Sequence, residues 1–129
     1  MRAIDTNIVV RFLTGDDKIQ ADAARAIFEG GDIFISLTVL LESEWVLRGA
    51  YGFPPERIAE KLAGIASLPG VSAEEPMLLA TAIDWMRAGM DFADALHLAK
   101  AGGYTSFVSF DRKLAKVAKG RSAVPVETP

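Results

Sequence analysis

What most constrains the fold of this chain is an alternation. Short apolar runs take turns with longer segments whose apolar residues recur at helical spacing and whose ends carry capping residues. The runs are RAID (2–5), DIFIS (32–36), VSAE (71–74), SFVSF (106–110) and AVPVET (123–128). Between them, TNIVVRFLTG closes at Gly15, and DDKIQADAARAIFEGG opens on acids and stops at Gly30-Gly31. The segments LTVLLESEWVLRGAYG, PPERIAEKLAGIASLPG, PMLLATAIDWMRAG, DFADALHLAKAGG and DRKLAKVAKG complete a set of seven helices. Prolines suit the first turn of the fourth helix, and glycines suit the ends of several. Strands separated by helices imply a mostly parallel sheet of four to five strands with helices on both faces. RAID is expected to be buried, and AVPVET to lie on an edge because Pro125 cannot donate to a ladder. No repeat, linker or low-complexity stretch interrupts the 129 residues, so a single domain spanning 1–129 is expected.

Composition narrows the chemistry. The chain has no cysteine and one histidine, which removes disulfides and thiolate sites and disfavours zinc. Any bound metal would take oxygen ligands, which suits Mg²⁺ or Mn²⁺. No apolar run approaches the roughly 18 residues of a membrane span, and no signal peptide is visible. A cytoplasmic protein is the expectation. The net charge of −3 argues against coating nucleic acid by bulk charge. Locally the balance reverses: Arg112, Lys113, Lys116, Lys119 and Arg121 follow one another with a single acid, Asp111, beside them.

In parallel α/β sheets, ligands bind beyond the carboxyl ends of the strands. Asp5 and Asp111 end the first and fourth runs, Glu42 lies early in the helix after the second, and Asp94 lies in the first turn of the sixth helix. All four point to that edge, provided the connection into the sixth helix returns there. Each has a plainer reading. Asp5 and Asp111 could cap the helices that follow them. Asp91 and Asp94 resemble a capping box with Asp in place of Glu. Glu44 has Arg48 at i+4, an ordinary surface pair. Glu42 has Val39 and Val46 at helical distances and no basic neighbour, so it is the glutamate expected to point into a site. Carboxylates gathered within a few ångströms stay ionised together only if a cation neutralises them. A divalent ion does so, and also activates water and offsets the charge of an attacked phosphate. No phosphate-binding glycine loop or serine-nucleophile elbow is present.

Three stretches together, AIDTNIVVRFL, TVLLESEWVLRGAYG and DFADALHLAKAGGYTSFVSFDRKL, resemble the PIN-domain ribonucleases, and within them the VapC-type toxins of toxin–antitoxin pairs. The resemblance runs essentially end to end. It implies a three-layer α/β/α sandwich, a homodimer, and Mg²⁺-dependent hydrolysis of RNA phosphodiesters, with Mn²⁺ as a substitute. It also implies a VapB-type antitoxin whose C-terminal segment covers the cleft. By this resemblance Asp5, Glu42, Asp94 and Asp111 fall on the four acidic positions. Asp5 and Asp94 match direct metal ligands, with Glu42 and Asp111 acting directly or through water. Asp91 matches an additional acid, and Thr6, Asn7 and Ser109 match small polar residues that orient the site.

Outside these positions, Arg112, Lys116 and Lys119 share one helix face, either a solvated face or an RNA-backbone track. His97, one turn after Asp94, is expected to pack rather than to catalyse. Trp45, Tyr51 and Trp85 are expected in the core or in dimer contacts, with Tyr51 the candidate base-stacking platform. Two rival readings are a Mg²⁺-binding phospho-receiver-like module and a catalytically silent PIN-like scaffold. The first would need adjacent acids after its first strand and a lysine near its last, which this chain lacks. The second predicts no metal binding.

Overall fold

A computed structural model describes all 129 residues. The chain divides into two compact units, Met1–Pro76 and Met77–Pro129. In the first, strand β1 (Arg2–Ala3) leads into helices α1 (Thr6–Thr14) and α2 (Lys18–Gly30). Strand β2 (Ile33–Ile35), helices α3 (Leu37–Gly49) and α4 (Pro55–Ala66), and strand β3 (Val71–Ala73) follow. The three strands form one parallel sheet in the order β1-β2-β3, with Ala3 opposite Phe34 and Phe34 opposite Ser72.

The central position of β2 follows from its side chains. Ile33 and Ile35 are both fully buried, as a strand paired on both sides and covered by helices requires. They join Val9, Leu40, Leu47, Ile58, Leu62 and Ile65 in the core of this unit. The starts of β2 and β3 are brought close by glycine. Gly70 has φ +79°, and a Cβ placed on it would lie 2.8 Å from the Gly31 Cα, an approach that no side chain tolerates. Side chains add further ties. The Leu37 backbone N–H at the start of α3 donates to Glu74 Oε1 at 2.8 Å, just beyond β3. Tyr51 donates to Asp16 at 2.8 Å and accepts from Arg11 at 3.0 Å. This polar tether occupies the Tyr51 hydroxyl.

In the second unit, α5 (Pro76–Arg87) is followed by α6 (Phe92–Lys100), strand β4 (Phe107–Val108), α7 (Arg112–Ala118) and strand β5 (Val126–Glu127). β4 and β5 pair in parallel, Phe107 opposite Val126. Leu79, Ile83, Met86, Phe92, Leu98 and Leu114 supply the apolar interior.

All seven helices and five strands anticipated from the pattern are present. They build an α/β fold with parallel pairing throughout, but the five strands form ladders of three and two rather than one sheet. Other expectations are also corrected. β1 holds two residues, Arg2 and Ala3, both exposed, because it is an edge strand paired only with β2. In α3 Glu44, expected in an ordinary surface pair, is 3% exposed and receives two hydrogen bonds from Arg48, at 2.8 and 3.3 Å, while Glu42 is exposed. Trp45 is 64% exposed and is no core residue. His97 is exposed rather than packed.

Candidate functional site

The residues singled out in the sequence fall into two groups, one in each unit. In the first, the chain leaves β1 and turns into α1 at Asp5, whose extended backbone and short carboxylate make it the N-cap. The Ile8 N–H donates to Asp5 Oδ1 at 3.2 Å, which satisfies one of the donors every helix leaves open at its start. The cap uses one oxygen, and Oδ2 is left for another partner. One residue on, the Thr6 hydroxyl donates to Glu42 Oε1, linking α1 to α3. Asn7 is exposed at the same helix start.

In the second group the same device recurs twice. Asp91 caps α6, with its Oδ2 accepting from the Asp94 N–H at 3.2 Å. Asp111 caps α7, with its Oδ1 accepting from the Leu114 N–H at 3.0 Å. The turn before α7 is fixed by Ser109, whose hydroxyl oxygen accepts from the Asp111 N–H at 3.0 Å. The capping readings of Asp5, Asp91 and Asp111 are therefore correct, and at Asp5 and Asp111 the cap takes up one carboxylate oxygen.

Asp91, Asp94 and Asp111 line one cavity of about 170 Å³, together with Lys113, Leu114 and Val117. Asp94 is half-buried there. Its carboxyl is held above the ordinary carboxylate range, first by burial and then by the negative charges of Asp91 and Asp111, with His97 pulling the other way. Burial penalises its charged form, and the two neighbouring carboxylates leave an excess of negative charge beside it. The donors are all hard oxygens, and the excess is of the sign a divalent cation removes, so the residues fit such an ion in chemistry. Neither unit by itself gathers three His, Asp or Glu side chains into a set able to hold a metal ion.

The model describing the PIN domain matches residues 3–120, nearly the whole chain. The chain belongs to the PIN domain family. No curated protein and no solved structure matches it. The PIN domain is generally a metal-dependent nuclease fold, and its members typically use divalent ions. In this PIN domain Asp5, Asp91 and Asp111 each end a loop and cap the helix that follows.

The basic residues of α7 divide between two hollows of this PIN domain. Lys116 and Lys119 line a larger groove of about 530 Å³ beside β5. Lys113 lines the acidic cavity. Sequence reasoning grouped Arg112, Lys116 and Lys119 by spacing and passed over Lys113. The signal that finds it is its position two residues after Asp111, inside the turn that Asp111 caps.

Proposed function

We propose that this PIN domain is a divalent-metal-dependent endoribonuclease, a toxin of the VapC type held in check by a VapB-type antitoxin. Residues 1–129 act as one functional PIN domain, a reading supported by a family match that crosses the boundary between the two units. The observation that carries the proposal is the acidic cavity in a chain of this family, where Asp94 lines one hollow with Asp91 and Asp111 and its carboxyl is raised by burial and then by their charge.

The residues that would hold such an ion directly are Asp5 and Asp94, with Glu42 and Asp111 acting directly or through water. When bound, Mg²⁺ or Mn²⁺ lowers the pKa of water and offsets charge on an attacked phosphodiester. The chain's own residues orient and balance. Thr6 fixes one oxygen of Glu42, Ser109 fixes the turn that presents Asp111, and Asn7 stands beside Asp5 at the start of α1. Asp91 adds negative charge at the cavity. Arg112, Lys116 and Lys119 are exposed and make no ion pair, which leaves them for the RNA backbone. An antitoxin arginine would satisfy the same carboxylates by paired hydrogen bonds, in competition with the ion. The working form is a homodimer in the cytoplasm. No helix is long and apolar enough to cross a membrane.

The test is cleavage of mixed-sequence RNA by the purified chain. Cleavage is expected with Mg²⁺ or Mn²⁺, is stopped by EDTA, and is lost in Asp94→Asn. Expression should arrest bacterial growth unless the neighbouring antitoxin reading frame is expressed with it. Absence of cleavage with either ion overturns the nuclease reading. Growth unaffected by the active chain overturns the toxin reading alone.

A further inference from the structure

Helix α7 separates two hollows of the second unit. Lys113, Leu114 and Val117 face the acidic cavity, whereas Ala115, Lys116 and Lys119 face the groove beside β5. Lys113 is thus the one cation among the residues that line the cavity with Asp91, Asp94 and Asp111.

It does not serve there as an internal counter-ion. Lys113 forms no ion pair with any of the three aspartates, although it shares their cavity and follows Asp111 by two residues. Its side chain is exposed and uncommitted. A phosphodiester carries a negative charge, and a wall of three carboxylates repels it. An ammonium on that wall relieves the repulsion without fixing a geometry, since lysine offers a mobile point charge where arginine offers a rigid fork. Lys116 and Lys119 open onto a different hollow and cannot do this at the cavity itself.

The geometry points to Lys113 as the residue that receives an RNA phosphate at the acidic cavity, distinct from the backbone contacts of Lys116 and Lys119. This rests on the nuclease reading above and names the cation that lets a polyanion approach the aspartates.

The experiment uses the full chain and a three-nucleotide single-stranded RNA, long enough for the cavity and too short to follow the groove. Binding is followed by two-dimensional NMR in EDTA, where no metal-dependent cleavage occurs. Lys113→Gln is expected to weaken binding on the order of fivefold, Lys113→Arg to stay within about twofold of the parent, and Arg121→Gln, an exposed cation that lines neither hollow, to match the parent. A thermal melt of each variant checks that the exposed substitutions leave the fold intact. Parent-like binding by Lys113→Gln overturns the assignment, and so does an equal loss in Arg121→Gln, which would mean that only bulk charge matters. A separate assay on long RNA with Mg²⁺ keeps the two readings apart. If the parent cleaves while trinucleotide binding ignores Lys113, this inference alone fails. If the trinucleotide binds through Lys113 but no RNA is cleaved, the nuclease reading alone fails.

Discussion

The Thr6 hydroxyl donates to the Glu42 carboxylate, so a residue of the first helical turn after β1 sets the direction of a glutamate thirty-six positions away. Glu42 is exposed, and without this bond its side chain would sample several rotamers. Thr6→Val removes the donor and keeps the shape. It is expected to lower RNA cleavage by about tenfold, or roughly 1.4 kcal/mol, with little change in melting temperature, while Thr6→Ser retains activity. Kinetics of the three proteins check it. Wild-type turnover in Thr6→Val would show that Glu42 needs no such guide.

Asp5 has two separable roles. Asparagine caps a helix about as well as aspartate, whereas alanine does not. Asp5→Asn should melt like the parent yet lose cleavage by about a hundredfold or more, as expected for a lost metal ligand. Asp5→Ala should lose the same activity and in addition about 1 kcal/mol of stability. Denaturant titrations beside cleavage assays separate the two effects. An Asp5→Asn protein that cleaves RNA normally would leave the residue as a cap and nothing more.

Asp94 predicts a pH dependence of stability with a definite sign. Its folded-state pKa is raised by burial and by Asp91 and Asp111. Below the ordinary carboxylate range both folded and unfolded chains hold the proton, and the group costs nothing. As pH rises, the unfolded chain releases it first, so stability falls, and above the folded value the whole cost is present. Without metal, Asp94→Asn should therefore melt higher than the parent at neutral pH, with the gap closing near about pH 3. Added Mg²⁺ should raise the parent and leave the variant behind. Melting curves across pH with EDTA or Mg²⁺ test this, and an advantage of Asp94→Asn that widens on acidification contradicts it.

Two glycine substitutions should move stability in opposite directions. Gly70→Ala places a Cβ 2.8 Å from the Gly31 Cα at a positive φ, and about 2 kcal/mol or more of destabilisation is expected. Gly64 lies within α4, and a Cβ there meets nothing within 4 Å. Gly64→Ala should stabilise by up to about 1 kcal/mol through helix propensity. Chemical denaturation of both variants checks the signs, and equal effects would remove the close approach as the reason for Gly70.

The twelve elements were legible because each carries local marks: the glycines after α1 and α2, the prolines opening α4, and the aspartates before α1, α2, α6 and α7. The orientation of α3 was not. Its sequence, LTVLLESEWVLRG, has apolar residues on nearly every side, so spacing alone could not say that Glu44 is buried with Arg48 bonded to it rather than paired on the surface. Strand pairing was equally hidden, since ladders of two or three residues depend on distant partners rather than on local pattern. His97 lay among leucines in sequence but not in space, for its neighbours Leu96 and Leu98 turn inward while it faces out. Lys113 escaped because the wall it lines is built by the loop after α5, the first turn of α6 with its cap, and α7 with its cap.

The aspartates at positions 5, 91 and 111 each hold up the first turn of a helix. A descendant without the proposed nuclease chemistry would still be selected to keep a capping residue at each, because losing one costs about 1 kcal/mol. Glu42 supports no such turn. Among diverging copies of this chain, that glutamate should drift first, and its loss rather than theirs would mark a lineage gone silent.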